Sequence, residues 1–186
     1  MKIVNVSRIL TLVLGLSFVS MFASSQTIAA EAKVIDARVD AALTEMFVSI
    51  QGSEDLYKIA SGVLIMPDVT KAGFIIGGAY GEGALRVNGK TEAYYSVGGA
   101  SVGFLAGAET SKQALFFMAD DALGKFRSSE NWQAGIDASI TLIKVGAGIG
   151  ADTLSSPPPV IGFIFARSGL MADASFKGAK YGRIDR

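Results

Sequence analysis

Two amino acids are missing altogether, because the 186 residues include neither cysteine nor histidine. Without cysteine the chain has no disulfide, no thiolate metal ligand and no lipid anchor on an N-terminal cysteine. Without histidine it has no Ser-His or Cys-His nucleophile pair, no imidazole ligand and no imidazole general base. A metal site would have to rest on carboxylates alone, and we expect no metal, no cofactor and no catalytic residue.

An excess of charge is also lacking: Lys and Arg number 17, Asp and Glu number 17, and the formal net charge is zero. Nucleic-acid-binding domains normally show a basic excess or a basic stripe, so a nucleic-acid partner is not expected. Strong general attraction to anionic lipid is not expected either. Any membrane contact has to combine a local basic patch with apolar surface.

Residues 1–30 are typical of a secretory signal peptide. Lys2 and Arg8 precede an uncharged apolar run, and small residues follow it. The run is shorter than the roughly 20 residues that span a bilayer. We predict cleavage after Ala30 or Ala32 and an exported protein, periplasmic or secreted, that can be peripheral on a membrane.

The remaining residues, 31–186, are predicted to form a single domain. Cleavage after Ala30 leaves 15 basic and 17 acidic residues, so the mature net charge is −2. A chain of about 156 residues buries roughly 68–70% of the surface that its unfolded form exposes, so its core needs no disulfides.

Two helices are predicted at the start of this domain. From Lys33 to Ile50 apolar residues recur at spacings of three and four. The opposite face mixes both signs of charge, which favours a helix packed on its own domain over one that inserts into lipid or binds a partner. Gly52 then breaks the pattern, and Ser53 is predicted to cap a second helix that ends near Ala60.

The pattern after the second helix is that of β-strands. A short apolar run ends at Pro67, which has no N–H to donate. Asn88-Gly89 predicts a type I′ hairpin turn. Gln113 to Ala119 is another apolar run, and Asp120 or Asp121 is predicted to cap a short helix through Phe126.

Two alternating stretches predict further strands. Apolar and polar residues alternate from Ile136 to Lys144, with a change of phase near Leu142 that predicts a bulge. A second alternation runs from Leu170 to Lys177. Trp132 precedes the first stretch, where a core position is favoured over a membrane-interface anchor.

Together these elements predict an α+β domain with a strongly curved, mostly antiparallel sheet, a barrel or half-barrel. The stretch 71–87 contains five glycines, which suit sharp bends and close approach of backbones. It lacks the third glycine of a dinucleotide fingerprint, and no Gly-Lys-Ser/Thr follows, so strand bending is preferred to phosphate binding. Glu82 and Glu109 would form an acid–base pair only if the fold placed them together.

Several strings occur in an order that resembles the SYLF domain family, from about Ala60 to Tyr181. They are SGVLIMPDVTKAGFIIGGAYGEGAL, YYSVGGASVGFLAGAE, ADDALGKF, GIDASI and ARSGLMADASFKGAKY. The family comprises lipid-binding domains known also from yeast and animal actin-patch proteins. The resemblance implies one domain of curved β-structure with helices, no enzymatic activity and affinity for phospholipid membranes. Ser61 stands where the family often has a basic residue, which removes one candidate phosphate contact.

We therefore predict a non-catalytic domain of the cell envelope that binds phospholipid or another amphiphile. The candidate lipid contacts are single basic residues among apolar ones: Lys71, Arg86, Arg167 and Lys177. The alternative is a structural, self-associating or protein-interaction module that acts through its N-terminal helix or its glycine-rich surface. Actin is not expected as a partner, because an exported protein does not meet cytosolic actin. A hydrolase built on paired carboxylates or on a Ser-Lys arrangement is a third hypothesis.

Overall fold

The computed structural model describes residues 30–73, 76–102, 107–143, 149–169, 175–176 and 178–186. Within them the helices are α1 (30–49), α2 (Ser53–Ile59), α3 (Asp120–Ser128) and α4 (Ala151–Ser155). The strands are β1 (Gly62–Gly73), β2 (Ile76–Val87), β3 (Lys90–Val102), β4 (Gly107–Phe117), β5 (Trp132–Gln133), β6 (Thr141–Ile143), β7 (Val160–Gly169) and β8 (Lys180–Ile184).

The described strands lie in one curled sheet with the order β5-β8-β3-β2-β1-β4-β7-β6. Neighbouring strands are antiparallel except β6 and β7, which are parallel. The sheet forms a half-barrel preceded by the N-terminal helices. This confirms the predicted α+β class and the mostly antiparallel, curved sheet.

A β-bulge bends the sheet in the middle of its central strand. Met66 and Pro67 of β1 together lie opposite Gly83 of β2. Proline is tolerated inside a sheet at such a point, because the extra residue is excluded from the hydrogen-bond ladder. Strand β1 continues through the bulge to Gly73, so the prediction that it ends at Pro67 is wrong.

Glycine at two positions of β2 lets the backbone pass this bulge. A Cβ on Gly83 would lie 1.9 Å from the carbonyl oxygen of Ile65, and one on Gly81 would lie 2.5 Å from that of Asp68. Both contacts are with backbone, which cannot turn aside as a flexible side chain can. The prediction that glycines here serve close approach is confirmed at Gly81 and Gly83.

Each face of the sheet carries its own hydrophobic cluster. On the face covered by α1 and α2, named here the α1 face, Met46 and Leu56 pack among strand residues such as Phe116. On the opposite face, named the α3 face, Phe126 of α3 packs with Trp132. Strands buried on both faces read as continuous apolar runs rather than alternating ones.

The long strands extend beyond these clusters. Burial in β1 is continuous to Pro67 and alternates afterwards, and β7 is exposed from Ala166 onward. We call the more buried part the core half, made of 62–67, 83–87, 90–97, 113–117 and 160–165. The part beyond it is the distal half, made of 68–73, 76–82, 98–102, 107–112 and 166–169.

Most predictions for the N-terminal part are confirmed. The first helix is present, and Asn88 and Gly89 form the predicted turn with φ of 50° and 75°. The predicted cap is wrong: Gly52 is the N-cap of α2, with φ of 84°. Ser53 is instead a buried helical residue whose Oγ donates to the carbonyl oxygen of Met46 at 3.2 Å.

The C-terminal part departs further from prediction. Helix α3 is present, but its N-cap is Ala119. Asp120 instead accepts a hydrogen bond from the Ser61 hydroxyl at 2.6 Å. Of the strand predicted over 136–144, the described part is strand only at β6, because a turn at Gly135 with φ of 82° leaves Ile136 72% exposed. Trp132 is buried, as predicted.

Candidate functional site

Two of the four predicted lipid contacts meet on the α3 face of the distal half. Lys71 of β1 is the cross-strand partner of Glu109 of β4, and directly opposite residues project from the same face. Arg167 of β7 pairs with the same carboxylate through two contacts, Nε to Oε1 at 3.2 Å and Nη2 to Oε2 at 2.6 Å. Three strands thus place Lys71, Glu109 and Arg167 on one face, with an ion pair between Arg167 and Glu109, a set that we call the cationic cluster.

A second bulge gives Arg167 its position. Ala166 and Arg167 together lie opposite Ser111 of β4, and Ala166 has a φ of 47°. A positive φ is uncommon for a residue other than glycine, and bulges commonly re-aim a side chain. The irregularity therefore turns the guanidinium toward Glu109.

Counted over Lys71, Arg167 and Glu109 alone, the cluster carries one net positive charge in a partly buried setting. Glu109 is 3% exposed, and a buried carboxylate is stable only when it is paired and hydrogen-bonded. Arg167 supplies that pairing. Lys71 adds a second positive charge, and its Nζ donates to the carbonyl oxygen of Ser175 at 3.2 Å. The excess of one cation makes the cluster attractive to an anionic group.

An apolar groove of about 350 Å³ adjoins this cluster. Ser175, the acceptor for Lys71, is one of the residues that line it. The volume lies near the lower end of the roughly 300–1,000 Å³ typical of small-molecule pockets. The other lining residues are mostly apolar: Ala134, Gly135, Ser139, Ile140, Leu142 and Phe176.

The groove depends on a glycine in β7. A Cβ on Gly162 would lie 2.4 Å from Cε2 of Phe176 and 2.7 Å from Cγ2 of Ile140. Phe176 and Ile140 can pack directly on the strand only because Gly162 has no side chain. Exposed apolar side chains at Ile136 and Leu142 continue the apolar character beside the groove.

A buried hydroxyl beside the cluster was missed by sequence reasoning. Ser111 is 1% exposed, lies between Glu109 and Gln113 on the same face of β4, and its Oγ has no hydrogen-bond partner among the described residues. Most buried polar atoms are paired, so this hydroxyl is an exception among the described residues. Alternation assigns Ser111 to a face, but no sequence pattern marks an unpaired hydroxyl.

Arg86 lies on the α1 face, away from the cationic cluster. Its Nη2 donates to Oδ1 of Asp40 at 2.7 Å and lies 3.3 Å from Oδ1 of Asp36, and its side chain is 10% exposed. Arg86 thus joins β2 to α1. Its role as a lipid contact stays a prediction, and Lys177 lies outside the described residues.

Asp36 joins α1 to the neighbouring strand as well. Its two carboxylate oxygens accept hydrogen bonds from the Thr91 hydroxyl at 2.6 Å and the Tyr94 hydroxyl at 2.9 Å. Burial, and then this hydrogen bond, raise the pKa of Tyr94. Part of the helix face that the sequence marks as polar is therefore turned toward the sheet, and α1 is held by both of its faces.

The acid–base pair considered for Glu82 and Glu109 is not formed, because the two carboxylates lie on opposite faces. Glu82 alternates with Ala84 of the α1 face, and Glu109 alternates with Leu115 of the α3 face. In the described ranges, no three acidic side chains are close enough to hold a metal ion. No helix among the described residues is both long and apolar enough to pass through a membrane.

Part of the chain that forms this site matches a known protein family. Residues 98–184 match the model of a family described as Ysc84, Las17-binding protein actin regulator. Over these residues the chain is similar to the Ysc84, or SYLF, domain. The match confirms the resemblance seen in the sequence. No match is found among curated proteins.

The SYLF match covers most of the candidate site. It includes the residues that line the apolar groove, together with Ser111, Glu109 and Arg167. Lys71 and Arg86 precede its first residue. The SYLF family is a lipid- and actin-binding type of domain and is generally non-catalytic.

Proposed function

We propose that this chain is an exported, non-catalytic domain that binds phospholipid or another amphiphile at the apolar groove and the cationic cluster. Ser175 is the observation that carries the proposal. It lines the groove and accepts a hydrogen bond from Lys71, so apolar wall and positive charge lie side by side. An amphiphile with an anionic headgroup has the matching two-part chemistry.

The two parts have different roles in binding. Removing apolar surface from water contributes about 0.8 kcal/mol for each buried CH₂, so the groove would supply most of the affinity. Lys71 would attract and orient the headgroup. Arg167 is held by Glu109 and would add to the positive field.

The predicted export leader decides between the two binding activities of the family. Past a membrane, the mature domain meets phospholipid and does not meet cytosolic actin. Helix α1 also gives little support to the interaction-module alternative. Its apolar stripe, including Val39, Ala42 and Met46, is buried against the sheet of its own domain.

Vesicle co-sedimentation of the purified protein tests lipid binding. We expect sedimentation with phosphatidylcholine vesicles and several-fold stronger sedimentation when phosphatidylglycerol is added. Lys71→Ala should remove most of that anionic enhancement, and Leu142→Ala should weaken both. Lys125→Ala is the matched control. The Lys125 side chain is 72% exposed on α3, and its substitution removes the same charge at a position outside the proposed site.

Two results would contradict the lipid proposal: no sedimentation with either vesicle at low salt, or equal losses in Lys71→Ala and Lys125→Ala. Circular dichroism of each variant separates lost binding from lost folding. Export is tested separately by the N-terminus of the protein purified from its host. Glu31 or Lys33 is expected, and an intact leader on cytoplasmic protein would contradict export alone.

A further inference from the structure

A second groove, of about 460 Å³, lies on the α1 face of the distal half. Its floor is formed by small residues of β1 and β2, including Thr70, Ala72 and Gly78, and Arg38 of α1 forms part of its wall. The amphiphile site is on the opposite face of the sheet. This groove is therefore independent of the proposed function.

The charged residues of this groove are already paired. Nη1 of Arg38 lies 3.6 Å from Oδ2 of Asp68. Glu82 accepts hydrogen bonds from the guanidinium of Arg186, one of them from Nε at 3.2 Å. These hydrogen bonds lower the pKa of Glu82, so its carboxylate stays ionised. Nε of Arg186 also lies 3.8 Å from Oε2 of Glu31, so the groove presents ionised donors and acceptors with no excess of positive charge.

An exposed aromatic ring stands at the same groove. Tyr80 is 58% exposed, although tyrosine usually hides its ring and leaves only the hydroxyl in water. Its hydroxyl donates to Oε1 of Glu82 at 2.5 Å, which fixes the direction of the ring. The result is an oriented, open aromatic face beside paired charges and a floor of small residues.

We infer that this groove binds a neutral saccharide. A sugar ring has a flat C–H face that packs on an aromatic ring, and hydroxyl groups that donate to carboxylates and accept from guanidinium groups. Tyr80 supplies the ring, Asp68 and Glu82 the acceptors, and Arg38 the donors. The small side chains of Ala72 and Gly78 let a flat ring approach the sheet.

The charges of this groove argue against an anion or a hydrocarbon chain as its ligand. A phosphate or another anion would need a cation in excess, and here each guanidinium is matched by a carboxylate. A hydrocarbon chain would have to remove those ion pairs from water without replacing their hydrogen bonds, which is costly. A hydroxyl-rich neutral molecule satisfies the same groups by donating and accepting.

The test is a titration of the purified protein with cellotriose, maltotriose and chitotriose, followed by ¹H–¹⁵N NMR. We expect at least one of them to shift the amide signals of Gly78, Tyr80 and Glu82. Tyr80→Ala should weaken that binding at least tenfold, whereas Tyr80→Phe keeps the ring and should retain most of it. Val48→Ala, at a side chain 85% exposed on α1, is the control and should change nothing.

Three outcomes would overturn the inference. The first is that none of the saccharides shifts these signals. The second is that Tyr80→Ala binds a saccharide as tightly as the unchanged protein does. In the third, choline shifts the signals and the sugars do not, which would make the groove a cation site built on an aromatic face. The folded spectrum of Tyr80→Ala shows directly whether a loss of binding comes from unfolding. Vesicle binding should be unaffected by Tyr80→Ala.

Discussion

The core half and the distal half of the sheet are built from the same strands but differ in what surrounds them. In the core half, residues such as Phe116 and Phe163 are buried between the sheet and α1. In the distal half, the same strands carry glycine, alanine and polar residues, and Thr110 is only partly buried. The cationic cluster and the groove at Tyr80 both lie in the distal half, one on each face, whereas the apolar groove lies against Gly162 of the core half.

Within a single strand, the core half contributes mainly to stability and the distal half mainly to binding. The core half removes large apolar surfaces from water, which is the main favourable contribution to folding. The distal half can then hold charges and open grooves at little cost, because its geometry is imposed by the packed end of each strand. Changes in the two halves should therefore have very different effects on stability.

The largest difference is expected between Phe116→Ala and Thr110→Ala, two changes on the α1 face of β4. Phe116 is fully buried, and its ring centre lies 5.2 Å from that of Phe163, so its loss should lower the free energy of unfolding by about 3–5 kcal/mol. Thr110 has one long hydrogen bond, to Thr70 at 3.4 Å, and should cost less than about 1 kcal/mol. Urea unfolding measures both, and similar losses would contradict the division.

A second pair compares two glycines of β2. Gly83→Ala places a Cβ against the Ile65 carbonyl oxygen and should cost about 1–3 kcal/mol through overpacking. For Gly78→Ala the nearest atom is the Gly99 carbonyl oxygen at 3.9 Å, so the change should stay within about 1 kcal/mol of zero. Thermal unfolding checks the order. The bulge would not constrain β2 if both variants melted at the same temperature.

A third pair compares arginines that pair across α1 and the sheet. Arg86→Ala leaves Asp36 and Asp40 without their cation near the core half, and should cost about 1–3 kcal/mol. Arg38→Ala breaks an exposed pair in the distal half and should cost about 0–1 kcal/mol. Chemical unfolding tests this order. If Arg86→Ala stays fully folded yet loses anionic vesicle binding, the prediction of Arg86 as a lipid contact gains support instead.

The smallest expected effect is a change with pH in the free energy of unfolding, through Glu82. Hydrogen bonds from Arg186 hold the pKa of Glu82 below its usual value of 4.5. A depressed pKa contributes stability that is fully present above the usual value and is lost as the pH falls through the lowered one. Glu82→Gln should therefore be less stable than the unchanged protein at neutral pH, by less than about 1 kcal/mol, and equal to it in strong acid. A constant gap across that pH range would contradict this linkage.

Local sequence was a good guide where one residue type has one conformational use. Asn88-Gly89 gave the hairpin because both residues accept positive φ, and apolar spacing gave α1. It failed where a longer-range contact competed. Pro67 does not end β1, because the bulge opposite Gly83 accommodates it, and Ser53 is not a cap because its hydroxyl reaches back to Met46.

The candidate site shows the same limit. Lys71 and Arg167 were selected from the sequence as isolated basic residues, and both belong to the cationic cluster. Arg86 was selected on the same grounds but lies on the α1 face, where it pairs with Asp40 of α1. Nothing local distinguishes these lysines and arginines, because the distinction depends on which face and which strand each one shares.

Composition and periodicity by themselves determined the class of the protein: a curved, glycine-rich antiparallel sheet with leading helices and no imidazole or thiol chemistry. These properties follow from neighbours along the chain, whose φ, ψ and side-chain spacing are set locally. Only the tertiary structure decided that Glu109 gathers Lys71 and Arg167, and that Ser175 places them beside an apolar groove. Lys71 and Ser175 are 104 positions apart, and only the folded chain brings the lysine Nζ within hydrogen-bonding distance of the Ser175 carbonyl oxygen.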